Sequence, residues 1–179
     1  MNQQTIVVHI PGLRRYARAL TGDVWTADDL VQDTLERACS RWRLWLAGSD
    51  LRAWLFTLMH NLFISQVRQG LTRARLAPTV DLEDVAHELR APDASASFAI
   101  DLQRCLLRLP EEQRVVMLLV TMEEMSYDEV AKVTGVPVGT VMSRLSRARG
   151  RMRELLDEPT EKSAASAAHK SEPVLRRMK

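Results

Sequence analysis

Residues 126–156, SYDEVAKVTGVPVGTVMSRLSRARGRMRELL, constrain the fold more tightly than any other part of the chain. Ser126 and Glu129 stand three apart ahead of apolar residues. That is the spacing of a capping box, in which each side chain satisfies a backbone amide of the other residue. Gly135 can end the short helix that follows, because glycine takes the left-handed conformation a helix end needs. Pro137 then suits the opening of a second helix, where a missing N–H breaks no bond. Val130 and Ala131 of the first helix can pack on Val136, Val141 and Leu145 at the second. Two helices joined in this way predict a helix-turn-helix. The outer faces of the second helix carry Thr140, Ser143, Arg144, Ser146, Arg147, Arg149, Arg151 and Arg153, with no acid between Arg144 and Arg153. Solvated helix faces usually mix signs. A face of hydroxyls and arginines fits a DNA major groove, where arginine neutralises phosphate and grips guanine with two hydrogen bonds. The helix N-terminus adds amide donors suited to a phosphate.

The rest of the chain also predicts helix. Seven Gly and seven Pro among 179 residues are too few for a turn-rich β protein, so the fold class reads as all-α, and the length suits one or two small domains. Leu13, Ala17 and Leu20 recur at helical spacing. In the next helix Thr26 is the expected cap, with Asp29 serving the first turn, and Leu30, Thr34, Ala38 and Trp42 form one stripe. Asp28, Asp29, Gln32, Asp33 and Glu36 gather on another face of that helix, four of the five being acidic. After the break at 46–50, Asp50 caps a helix whose core stripe is Leu51, Leu55, Leu58, Met59 and Leu62. Its second stripe holds Trp54, Asn61, Ser65 and Arg68. The expected domains are 1–75 and 98–157. Between them, 76–97 reads as an acidic linker: Asp81, Glu83, Asp84, Glu88 and Asp93 face one base, Arg90, and Pro78 and Pro92 discourage packing. Pro110 with Glu111 and Glu112 marks a helix start. Residues 158–179 read as a disordered tail with a basic finish.

Several classes are excluded. Cys39 and Cys105 lie far apart with no metal-ligand spacing, so neither zinc nor any other cofactor is expected, and both thiols read as small buried side chains. No phosphate-loop lysine motif, zinc-protease motif or nucleophile constellation marks an enzyme. No signal peptide or membrane-length apolar run is present, so a cytoplasmic location without membrane insertion is expected. The net charge of +2 leaves a nucleic-acid partner open, because the distribution matters more than the sum.

ADDLVQDTLERA, DLRAWLFTLMHNLFISQVR, LPEEQRVVMLLV and the 126–156 stretch occur in that order and at close spacing. Together, over about residues 9–156, they resemble the extracytoplasmic-function (ECF) sigma factors of bacterial RNA polymerase. The resemblance implies a sigma region 2 and a sigma region 4 joined by a flexible linker, with no catalytic centre. It implies that Asp28, Asp29, Gln32, Asp33 and Glu36 bind the clamp helices of the polymerase β′ subunit. Trp54, His60, Asn61 and Arg68, with the preceding loop, would melt and capture the minus-10 promoter element, although Trp54 reads equally as a core tryptophan. Thr140, Ser143, Arg144, Ser146, Arg147 and Arg149 would face minus-35 duplex DNA, and the polymerase β flap would lie nearby. Met142 stands where relatives often carry a base, and Ser65 where many carry an acid. The implied role is transcription initiation in a stress response, held in check by an anti-sigma factor. Two alternatives are a stand-alone helix-turn-helix regulator, which leaves the acidic face without a role, and a sigma mimic, which predicts erosion of the DNA-facing residues.

Overall fold

The computed structural model describes residues 4–42, 50–76 and 94–157, with side chains at 6–42, 50–70 and 98–157. Among the described residues there are eight helices and no strand: α1 (Gln4–Val7), α2 (Ile10–Thr21), α3 (Val24–Ser40), α4 (Leu51–Leu76), α5 (Ala94–Leu107), α6 (Glu111–Thr121), α7 (Tyr127–Thr134) and α8 (Val138–Asp157). The all-α reading therefore stands.

Helices α2, α3 and α4 form the first bundle. Its centre is Leu13, Tyr16 and Leu20 from α2, Leu30 from α3, and Leu55, Phe56 and Met59 from α4, each no more than 2% exposed. Every member of the expected α4 leucine stripe is buried. Thr34, the polar member of the α3 stripe, is fully buried and donates its hydroxyl to the Leu30 carbonyl at 2.7 Å. A buried hydroxyl is tolerated when it is satisfied in this way. Asp50 caps α4, accepting from the amides of Arg52 (2.9 Å) and Ala53 (3.2 Å).

Three expectations need correction. The cap of α3 is Asp23, not Thr26: Asp23 is extended, and its carboxylate accepts from the Thr26 amide at 2.7 Å and hydroxyl at 2.8 Å. A carboxylate at a helix N-terminus also meets the positive end of the helix dipole, and the earlier cap adds three residues, Val24 to Thr26, at the start. Cys39 is exposed, whereas Cys105 is buried beside Leu155 as expected. Residues 94–97, assigned to the linker, belong to α5, since Ala and Ser continue a helix readily when the following residues are helical. Residues 77–93 of that linker, the 46–49 loop and the 158–179 tail lie outside the described residues.

The second bundle is α5 to α8. Ser126 and Glu129 form the full capping box, with the Ser126 amide donating to Glu129 at 2.7 Å and the Glu129 amide to Ser126 at 3.3 Å. Gly135 ends α7 in the left-handed region at φ 69°. Val130, Val133, Val141, Leu145 and Ala148 close the helix-turn-helix core.

The two bundles are in contact. α7 packs on α4, and α2 packs on α5 and α6. Gly22, at φ 77°, ends α2 against Leu107 of α5. A Cβ there would come within 2.5 Å of Leu107 Cδ1, so both backbone angle and space require glycine. Gln103 of α5 donates to the Ala19 carbonyl at 3.0 Å across the same seam.

Candidate nucleic-acid and partner-binding surfaces

The acidic face of α3 borders a groove of about 510 Å³ between α2 and α3. Asp28, Gln32 and Glu36 line it, together with apolar Ile10, Val31 and Leu35. Asp29 and Asp33 are exposed on the same helix. Gln32 donates to Glu36 at 3.1 Å, and Asp28 lies 3.7 Å from the Arg14 guanidinium. The structure thus brings Asp28, Gln32 and Glu36 together over an apolar floor and leaves Asp29 and Asp33 exposed outside the groove lining. Charge steers a partner onto such a surface, and apolar contact supplies adhesion. Cys39 lies at its edge.

On α4, Asn61, Ser65 and Arg68 are exposed, and Ser65 donates to the Asn61 carbonyl at 2.8 Å. Trp54 is half-buried, packed on the core and edge-on to Trp42 with ring centroids 6.4 Å apart. His60, on the same helix, is half-buried. Burial, and then the positive charge of Arg144, lower its pKa to about 4, so it is neutral at pH 7. Its Nδ1 is buried without a hydrogen-bond partner in the protein.

On α8, Ser146, Arg147, Arg149 and Arg153 are exposed, and Met142 is 53% exposed among them. Thr140 and Ser143 are half-buried near the helix start, where the Ser143 hydroxyl donates to the Thr140 carbonyl at 3.0 Å. Arg144 is mostly covered: its guanidinium is 2.5 Å from Glu112 of α6. Arg151 pairs with Glu154 at 2.9 Å. Residues 142–153 therefore present a largely cationic, partly apolar rod, with Arg144 restrained by an acid on a neighbouring helix.

A charged cluster that sequence reasoning missed lies in the seam. Glu123, with a side chain 2% exposed, sits 2.8 Å from Arg15 of α2 and 3.0 Å from Arg52 of α4. Arg52 also donates to the Glu123 carbonyl and stacks over Phe56 at 5.6 Å. In the sequence Glu123 is one of two adjacent acids ahead of a capping box, and nothing distinguishes it from a solvated turn residue.

Family models match both halves: the sigma2 domain of PhyR over residues 6–60, and sigma-70 region 4 over residues 99–152. The ECF RNA polymerase sigma factor EcfG of Rhodopseudomonas palustris is 38% identical over 152 residues, 84% of this chain and 82% of the relative. The chain belongs to the ECF sigma factor family. The solved complex of sigma factor RpoE with the anti-sigma factor NepR from Bartonella quintana is similar to this sigma factor with a TM-score of 0.75 and 34% identity, covering 88% of this chain and 98% of that one. The anti-anti-sigma factor PhyR of Bartonella quintana shares the fold, at a TM-score of 0.58 and 18% identity over 95% of this chain and 61% of that one. The bundles containing α2–α4 and α5–α8 are accordingly this sigma factor's region 2 and region 4. No described helix is long and apolar enough to cross a membrane.

Proposed function

We propose that this chain is a dissociable initiation factor that docks on core RNA polymerase in the cytoplasm through the α2–α3 groove and reads promoters with α4 and α8. The polymerase does the chemistry, and this chain selects where it starts. The observation that carries this reading is the coexistence of two oppositely charged surfaces on separate bundles: acids around the α3 groove and arginines along α8. Asp28, Asp29, Gln32, Asp33 and Glu36 meet a basic helical partner on the polymerase. Asn61 and Arg68, with Trp54 behind them, handle the melted minus-10 strand, where amides reach base edges and cations hold backbone. Arg147, Arg149 and Ser146, with Thr140 and Ser143 at the helix start, meet minus-35 duplex. Arg144 joins the α8 surface when it exchanges Glu112 for DNA. An anti-sigma protein restrains the chain, as NepR partners RpoE in the similar complex.

The match of region 2 to the PhyR model favours a second reading, a mimic that binds an anti-sigma protein without reading DNA. The exposed arginines of α8 weigh against it, since a mimic has no use for a polyanion-binding rod. The test is in vitro transcription with core polymerase on genomic fragments. Start sites should be set by the added chain, and Asp29→Arg with Asp33→Arg should abolish capture by core. Undiminished capture by the double variant would reduce the acidic face to solvated surface, and absence of any start site would favour the mimic.

A further inference from the structure

The seam between the bundles is itself an interaction surface, and its occupant is the chain's own second domain. Glu123 is among the few buried charged side chains, and both its cationic partners belong to the other bundle. The carboxylate enters close to the backbone of α2: a Cβ on Gly12 would stand 3.4 Å from its Oε2. The next residue, Glu124, holds φ at 52°, in the left-handed region that non-glycine residues seldom adopt. Such strain persists where surrounding contacts over-determine it, and here it accompanies the turn that delivers Glu123 into the seam. A short way along α4, half-buried His60 lies within electrostatic reach of Arg144 on α8.

This arrangement cannot be the promoter-bound one. Elements at minus 10 and minus 35 are about 25 base pairs apart, roughly 85 Å at about 3.4 Å per base pair. The region-4 helix bundle is hydrogen-bonded directly to region 2, at 2.8 Å and 3.0 Å. One chain in this form cannot sit on both elements. Resting on the sigma-factor reading above, we propose that Glu123, clamped by Arg15 and Arg52, is a latch that holds the free chain closed, and that core polymerase captures only the opened form. A charge clamp suits this work. In the closed form the buried Glu123 carboxylate depends on both arginines, so removing a partner leaves a buried charge uncompensated. Once opened, water solvates all three groups and reclosure competes with polymerase contacts.

The test uses the full chain with Cys39→Ser, which clears the docking groove, and a dye pair on Val24→Cys, an exposed position outside that groove, and on Lys132→Cys of α7; Cys105 is buried and is left unlabelled. Energy transfer should be high in the parent and fall when core polymerase is added. Glu123→Gln keeps the shape but removes the charge, and should lower the closed-to-open ratio about tenfold. Arg15→Gln, at a half-exposed position, should lower it less and serves if Glu123→Gln folds poorly by circular dichroism. The full swap Arg15→Glu, Arg52→Glu, Glu123→Arg should restore transfer. Because apparent affinity scales with the competent fraction, Glu123→Gln should also bind core polymerase up to about tenfold more tightly. Unchanged transfer in both Gln variants overturns the latch. Lowered transfer with unaltered or weaker core binding overturns the claim that closure opposes capture. If no form bound core at all, the sigma reading would fall, while the dye signal would still decide whether the latch exists.

Discussion

Glu112→Gln should make this sigma factor a better duplex binder. Arg144 is held by the Glu112 carboxylate at 2.5 Å, and under the proposed function a phosphate or guanine edge competes for it. The Glu112 side chain is 63% exposed and that of Arg144 is 21% exposed, so water screens the pair in part. Exposed pairs are worth about 0.2–1 kcal/mol, and the partial cover of Arg144 puts this one near the upper end. DNA must break the pair or accept a carboxylate beside a phosphate. Removing the carboxylate returns that energy to binding, a gain of about 0.5–1 kcal/mol, or two- to fivefold in Kd. If Arg144 then neutralises one more phosphate, the plot of log K against log salt steepens by about 0.9. The assay is a fluorescence-anisotropy titration of a minus-35 duplex at several salt concentrations, using Glu123→Gln as background so that the seam does not interfere. It should be run well below the melting temperature, because Glu112 also lies in the first turn of α6, and its loss there costs ~0.3–1 kcal/mol of stability. Equal or weaker binding, with an unchanged slope, would refute the reasoning and show that Glu112 orients Arg144 instead of restraining it.

Arg147→Ala, at an exposed position on α8, should weaken promoter binding by about 1–3 kcal/mol if it grips a guanine and leave capture by core polymerase unchanged in a pull-down; equal loss of both would contradict the division of labour. Ser126→Ala should cost about 1 kcal/mol in urea denaturation at pH 7, the usual worth of an N-cap. The Ser126 hydroxyl and then its amide hold the Glu129 carboxyl below its ordinary value of 4.5. A depressed carboxylate stabilises the fold above its unfolded pKa and loses that contribution as pH falls through the lower folded value. The gap between parent and Ser126→Ala should therefore narrow below about pH 4.5, and a gap that widened there would contradict the box.

The helix-turn-helix was legible because its signals are local. A serine three residues from a glutamate, and a glycine before a proline, act within one turn of chain and depend on nothing distant. The α4 leucine stripe was legible because burial imposes its 3.6-residue period directly. Asp23 escaped notice because Thr26 offers the same capping chemistry, and the two differ only in how far back the helix can start. Cys39 was misplaced because it follows a buried residue, Ala38, and a shift of one position rotates a side chain by about 100°. The Glu123 clamp was invisible for a different reason. Arg15, Arg52 and Glu123 come from three segments up to 108 positions apart, and no local pattern reports a meeting that only tertiary packing arranges.

Helix α4 ends at Leu76 and α5 begins at Ala94, so the segment at positions 77–93 of the chain links the two bundles covalently. Covalent geometry limits its reach to about 3.3–3.6 Å per residue, nearly the rise of one base pair. Each residue trimmed from it therefore lowers the greatest separation the two bundles can reach by about one base-pair step.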